Sequence, residues 1–280
     1  MSTSGWRVVI LSNIPDVADM LASTLRRLGH EPVAAMAALR RKPTPGLAWF
    51  DASTVIPGTP VLIAPDKESV KPMLTSLQPD LVVSWAFPWR LSPGALQVPT
   101  YGAINYHPSL LPRHRGSNPV AWTIRSGDSD YGVTWHRMDS TFDTGAMLAQ
   151  KSTPVLVEDT VYDVVPRLCT LGLRLLRGVL ERVAAGDPGD PQSNEGASDA
   201  EPFGLDYASI NWSMPARTVH DQVRAWAFTP GTHSVVGPIG EVDGTMVRVL
   251  RTSMDRPAEE GVRIECGDGP LWILEMEPLG

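Results

Sequence analysis

Short apolar runs alternate along this chain with segments whose apolar residues recur at helical spacing, and that alternation restricts the fold more than any other feature. Trp6 to Ser12 (WRVVILS) reads as a strand. Val17, Met20, Leu21, Leu25 and Leu28 then fall on one helical face, and Gly29 closes the helix. Pro32 to Met36, Pro60 to Ala64 and Leu81 to Trp85 read as further strands, with a helix over Lys67 to Leu77. Strands joined through helices lie parallel, so an α/β fold with a Rossmann-like, mostly parallel sheet is predicted. The turn after the first strand, Asn13-Ile14-Pro15, lacks the G-x-G-x-x-G fingerprint, which excludes the usual dinucleotide site. A ligand then belongs in the crevice at the carboxyl ends of the strands.

Ala103 to Tyr106, Gly132 to Arg137 and Ala146 to Leu156 extend the strand series. Thr160 to Ala185 is the longest helix, with Leu168, Leu171, Leu175, Leu176, Val179 and Leu180 on its apolar face. After Gly186 the chain turns rich in Gly, Pro and polar residues. We therefore expect a main domain over residues 1–188, a linker over 189–202 and a smaller, mostly-β, OB-like carboxyl-terminal domain over 203–280. In that last domain Ala216 to Ala227 reads as a helix. Ser234 to Val236, Met246 to Thr252, Val262 to Cys266 and Leu271 to Met276 read as strands.

With 42% hydrophobic and 20% charged residues, the chain has the composition of a globular protein. Its net charge of −7 lacks the basic footprint of most nucleic-acid binders. Cys169 and Cys266 are far apart and without metal spacing, which points to reduced thiols. No apolar run reaches the length of a membrane span, and no basic region precedes the first apolar stretch. A cytoplasmic protein without a membrane partner is expected.

The segment Tyr101 to Gly116, YGAINYHPSLLPRHRG, carries the chemistry. Asn105 and His107 stand two apart on a strand, so their side chains share one face. Pro108 ends regular pairing and puts both at the strand's carboxyl end, beside the expected crevice. An imidazole there titrates near neutral pH, and an amide offers N–H donors to a developing oxyanion. Asp143, in the turn-rich MDSTFDTG, supplies a carboxylate that orients His107 or relays a proton. Asp139 reads as a turn former, His114 as a solvated loop residue and His136 as a plain strand residue. Arg40-Arg41-Lys42 reads as a solvated basic loop.

Asn105-x-His107, Ser109-Leu110-Leu111-Pro112, Arg115-Gly116 and Asp143-Thr144-Gly145, in that order, closely resemble the motif set of the folate-dependent formyltransferase family. Its members formylate initiator methionyl-tRNA, glycinamide ribonucleotide or amino sugars. The resemblance is clearest from Pro79 to Gln150. It implies that an amine nitrogen attacks the formyl carbon of 10-formyltetrahydrofolate and forms a tetrahedral oxyanion. Asn105 and a protonated His107 would stabilise that oxyanion, while Asp143 holds His107 charged and helps move the amine's proton toward N10. No metal is implied. The pterin would lie against two loops, here Trp85 to Leu91 (WAFPWRL) and Met138 to Asp143. Trp85, Phe87, Pro88, Trp89, Leu91, Met138, Asp139 and Thr141 are thus expected at the cofactor. WAFPW is bulkier than the Gly-containing loop that family members usually carry. Ser109, Arg115 and Gly116 are expected on the substrate side, with Arg115 either at an anionic group or in a loop-stabilising ion pair.

Ile210-Asn211-Trp212-Ser213, Val223-Arg224-Ala225-Trp226 and the turn Thr229-Pro230-Gly231 resemble the start of the carboxyl-terminal domain of tRNA-formylating members, with Asn211 in place of the usual acid. Trp212, Arg224 and Trp226 would line the acceptor side or anchor the domain junction. A tRNA-binding surface needs positive charge. From Tyr207 to Gly280, six arginines face ten carboxylates. A small-molecule amine or hydroxylamine acceptor is therefore expected, with initiator tRNA as the alternative. The reading from another class is a catalytically silent folate- or nucleotide-binding module, against which the intact Asn-His-Asp set argues. The sequence sets no oligomeric state.

Overall fold

The first apolar run forms β1 (Arg7–Leu11), in which Val8 to Leu11 are wholly buried. The computed structural model describes residues 5–39, 50, 53–226, 237–258 and 260–279. Helix α1 (Pro15–Arg27) starts on Pro15, where a missing N–H costs nothing, and buries Val17, Ala18, Leu21 and Leu25. Gly29, at φ 87°, reverses the chain in a conformation open to glycine. There follow β2 (Glu31–Ala38), β3 (Val61–Ala64), α2 (Val70–Leu77), β4 (Leu81–Trp85), α3 (Pro93–Leu96) and β5 (Ala103–His107). Beyond them come α4 (Pro119–Arg125), β6 (Asp130–Arg137), β7 (Met147–Pro154) and α5 (Val161–Ala184). Helices α3 and α4 are too short to leave a periodic signal, and the sequence reading missed both.

The strands stand in the order β3-β2-β1-β4-β5-β6-β7. From β3 to β5 every pair is parallel, and β6 runs antiparallel to β5. This is the mostly parallel, Rossmann-like sheet that was expected, with one reversed strand beside the Asn105-x-His107 strand.

Register decides which layer each side chain enters. Trp85 pairs with Tyr106, and Tyr106 with Trp135, so the three rings share one face. Trp85 stacks on Tyr106 with centroids 3.5 Å apart, and Trp135 meets both edge-on. Gly172 in α5 permits this layer: a Cβ there would lie 2.3 Å from the Tyr106 ring. Trp135 Nε1 also donates to the Gly172 carbonyl at 2.9 Å. Asn105 and His107 flank Tyr106 in sequence and so occupy the opposite face, opposite His136 and Thr134 of β6.

The chain divides into two compact units. One takes residues 1–115, 133–151 and 169–197; the other takes 116–132, 152–168 and 198–280. The second holds α6 (Ala216–Trp226) and the strands β8 (Ile239–Val242), β9 (Thr245–Ser253), β10 (Val262–Cys266) and β11 (Gly269–Pro278). These form an antiparallel sheet in the order β10-β11-β9-β8. Its core gathers Val223, Val242, Val247, Val249 and Ile273. Arg224 is buried, held by Asp221 and donating to the carbonyls of Asp159 at 2.9 Å and Leu156 at 3.2 Å. Trp212 donates to the Glu241 carbonyl, and Trp226 stacks on Phe203. All three residues are thus engaged within this unit. The predicted strand Ser234–Val236, the turn Thr229–Gly231, the helix end at Ala227 and the run Arg40–Lys42 lie outside the described residues.

Residues 189–202 are well hydrogen-bonded. Asp190 pairs with Met147 through two backbone bonds, Ala200 accepts from Asn118 N, and Glu201 accepts from Trp122 Nε1. Both cysteines are free, and burial pushes the Cys169 thiol up to about 11. Among the described residues, no helix is long and apolar enough to cross a membrane.

Gly172→Ala is expected to destabilise the protein by about 1–3 kcal/mol, because the added methyl meets rigid rings and outweighs alanine's better helix propensity. A denaturant titration checks this; an unchanged or raised midpoint contradicts the packing described.

Candidate active site

Strand β5 delivers Asn105 and His107 to one face, β6 delivers His136 beside them, and the loop between β6 and β7 lays Asp143 over all three. Asp143 Oδ2 lies 3.5 Å from His107 Nδ1. Its Oδ1 lies 3.3 Å from both His136 Nε2 and Asn105 Nδ2. Asn105 Nδ2 also approaches His136 Nε2, at 3.2 Å. His136 Nδ1 sits 2.8 Å from the Arg137 carbonyl, which only accepts, so that nitrogen carries the hydrogen and Nε2 accepts from Asn105. By the same logic His107 Nε2 donates to the His114 carbonyl at 2.7 Å. His107, His136 and Asp143 are all buried.

Burial pushes the His107 pKa below its ordinary value of 6.5, and the upward pull of Asp143 and the His114 carbonyl does not reverse it. At neutral pH the ring is mainly neutral, with Nε2–H on His114 and an unprotonated Nδ1 turned toward Asp143. This corrects the expectation of a standing imidazolium: removing the ring from water outweighs a carboxylate 3.5 Å away.

The Asp143 loop is built by its own side chains. Asp139 Oδ1 accepts from Thr141 N at 2.9 Å, from Thr141 Oγ1 at 2.8 Å and from Thr144 Oγ1 at 2.9 Å. The hydroxyl oxygens of Thr141 and Thr144 also stand in contact with each other. Asp143 itself takes φ 55°, the left-handed region that Asp enters more readily than most residues. Gly145 follows because a Cβ there would lie 1.8 Å from the Arg137 carbonyl oxygen. Asp139 and Thr141, expected at a cofactor, direct their side chains into this turn.

Leu91 is buried in an apolar cluster with Val9, Leu11, Met36, Val82 and Ala103, against which Phe87, Trp89 and Met138 pack half-buried. The two stretches expected at a cofactor therefore meet, and Arg90 lies over the Phe142 ring at 5.4 Å. Pro88 is half-buried between Phe87 and Trp89. Trp85 departs from its neighbours. Its indole is on the far face of the sheet, stacked on Tyr106, so only its backbone faces this side.

The residues expected on the substrate side are occupied within the chain. Ser109 is buried and donates to the Arg113 carbonyl at 2.7 Å. Arg115 donates to Gln192 Oε1 from Nε at 3.2 Å and Nη2 at 2.8 Å. Its partner there is thus a neutral amide rather than a carboxylate. Gly116 takes φ 115° with the Ala200 carbonyl close by. His114 is buried, not solvated, because its carbonyl is drawn in toward His107. His136 is the residue that sequence reasoning passed over; its only signal was a period-two partner, Thr134, on an adjacent strand whose register was not readable.

The chain belongs to the formyl transferase family: the model for formyl transferase matches residues 7–180, and that for the formyl transferase carboxyl-terminal domain matches residues 206–280. The methionyl-tRNA formyltransferase of Citrifermentans bemidjiense is 31% identical over 296 residues, covering 99% of this chain and 90% of that protein. Among solved structures, the N-formyltransferase of Helicobacter canadensis in complex with folinic acid and dTDP-3-aminofucose superposes with a TM-score of 0.68. It shares 18% identity, over 96% of this chain and 98% of the other. HypX from Aquifex aeolicus in complex with tetrahydrofolic acid gives 0.67 at 18% identity; 99% of this chain corresponds to 45% of that one.

His136→Ala is expected to destabilise the fold by about 2–4 kcal/mol, from the cavity and from leaving Asn105 short of an acceptor. Equilibrium unfolding measures it, and a loss within about 0.5 kcal/mol, the range of a bland surface change, contradicts the network.

Proposed function

We propose that this protein transfers the formyl group of 10-formyltetrahydrofolate to an amine or hydroxylamine nitrogen of a small-molecule acceptor. The observation that carries the proposal is the convergence of the Asn105 amide and the His107 imidazole on one buried carboxylate, Asp143. The half-buried apolar surface of Phe87, Trp89 and Met138 fits a flat ring system, and the exposed Phe142 edge adjoins it. The folate-bound relatives support the same cosubstrate.

The bound cosubstrate supplies an electrophilic formyl carbon. Asn105 Nδ2 donates to the formyl oxygen as it gains charge, giving up its long 3.3 Å contact with Asp143. His107 keeps Nε2–H on the His114 carbonyl and takes the amine's proton at Nδ1, against Asp143 Oδ2. When the tetrahedral intermediate collapses the C–N10 bond breaks and the proton passes from His107 to N10, which leaves as tetrahydrofolate, so the carboxylate stabilises an imidazolium only in between.

Charge supports a small acceptor. Four of the six arginines between Tyr207 and Gly280 are paired with carboxylates: Arg217 and Arg224 with Asp221, Arg248 with Glu277, and Arg263 with Glu265. Little positive potential is left for phosphates. Initiator methionyl-tRNA is the second reading, favoured by the identity with methionyl-tRNA formyltransferases along nearly the whole chain.

Release of tetrahydrofolate from 10-formyltetrahydrofolate, followed with an amine panel that includes initiator methionyl-tRNA, tests both. A small amine is expected to support turnover, and His107→Ala or Asn105→Ala to lower kcat by about 10²–10³-fold. Turnover with methionyl-tRNA alone would replace the acceptor proposed; full activity in His107→Ala would end the mechanism.

The pH dependence has a definite sign. The working form of His107 is unprotonated, and its pKa lies below 6.5. With a weakly basic acceptor, kcat is expected to stay level through neutrality and to fall only on acidification below pH 6.5. A profile that rises on acidification contradicts the proton-accepting role.

A further inference from the structure

The segment from Asp187 to Gln192 lies along the start of β7. Asp190 pairs with Met147, and Gly189, at φ 88°, comes so close that a Cβ would sit 2.9 Å from the Met147 carbonyl oxygen. Arg182 fixes the segment from the α5 side, bonding Asp187 at 2.6 Å, the Leu148 carbonyl at 2.7 Å and Asp190 at 3.1 Å. Gln192 is thereby delivered to the Asp143 loop. Its Nε2 donates to the carbonyls of Asp143 and Gly145, each at 2.8 Å. Its Oε1 accepts both Arg115 bonds. Both N–H groups and both lone pairs of the amide are used. Glu lacks the donors, Lys and Arg lack the acceptor, and Asn is one methylene short.

We propose that Gln192 is a positioning residue for formyl transfer: it latches the Asp143 loop to Arg115 and so sets where the carboxylate stands against His107 and Asn105. The inference rests on those three side chains being the reacting constellation. A left-handed φ at a non-glycine residue persists only where its surroundings hold it. Asp139 restrains the loop ahead of Asp143, and Gln192 grips the carbonyls of Asp143 and Gly145. Without the second grip the loop relaxes, and the 3.5 Å approach to His107 leaves little slack.

Full-length Gln192→Met keeps the side chain's length and removes every polar contact. Gln192→Glu keeps the Arg115 acceptor and sets an oxygen against two carbonyls. Arg115→Lys, the mildest change, breaks the bidentate bond and serves if the others fold poorly. Kinetics would be read together with an NMR titration of the His107 ring, with His114 and His136, the other rings that act on it, assigned alongside. Both Gln192 variants are expected to lose about 10–100-fold in kcat, the scale of a small misplacement of a reacting group. The KM for 10-formyltetrahydrofolate should move less than kcat does, since the apolar wall of Phe87, Trp89 and Met138 is untouched. The His107 midpoint should fall in Gln192→Met, which adds no charge, as the carboxylate's support weakens. An unmoved midpoint overturns the latch whatever the kinetics. A moved midpoint with kcat within about twofold of wild type overturns its bearing on the reaction. The titration needs no turnover, so a wild-type protein inactive in formyl transfer, with a midpoint that still shifts, separates failure of the activity from failure of the latch.

Discussion

A carboxylate taken out of water needs partners, and the burial of Asp143 beside the Asn105 amide, which donates to it, and the rings of His107 and His136 is the constraint on which this site depends. Asn105 reaches only Oδ1, while the His107 ring stands against Oδ2. Together with His136 they require two neighbouring strands in fixed register and a loop that turns back over them. The reversed β6 is what brings His136 opposite Asn105; a parallel strand in its place would not have led straight into the covering loop.

The same register separates chemistry from packing. Residues of one parity on β5 reach Asp143, while Tyr106 between them points into a layer of rings closed by Gly172. The polar face holds the titratable groups, while the other face is filled with packed rings. The cost is a buried histidine held neutral, and the mechanism proposed uses that state, since a neutral ring can take a proton while a carboxylate stands beside it.

Much of the fold was legible because β1 to β5 and the helices α1 and α2 carry their own periods. Asn105 and His107 were legible from a spacing of two before a proline, and Asp143 from a turn-rich segment and a family resemblance. What stayed hidden depended on partners remote in sequence. His136 looked ordinary because strand register is not written on one strand, and His114 looked solvated because its buried carbonyl has no signature. The neutral state of His107 followed from burial, which spacing does not report. Gln192 sits in a stretch whose Gly and Pro content says only that it is irregular; Asp190 and Arg182 make it a fixed edge. The face taken by the Trp85 indole was hidden for the same reason, since its stacking on Tyr106 depends on the neighbouring strand.

The claim beneath all of this is that Asp143 and His107 act as one unit. A double-mutant cycle on kcat, with His107→Ala, Asp143→Ala and the pair, measures it directly. The unit predicts that the double variant loses at most about threefold more than the worse single variant, as coupled catalytic residues do. Losses that multiply, as they do for independent sites, would contradict it.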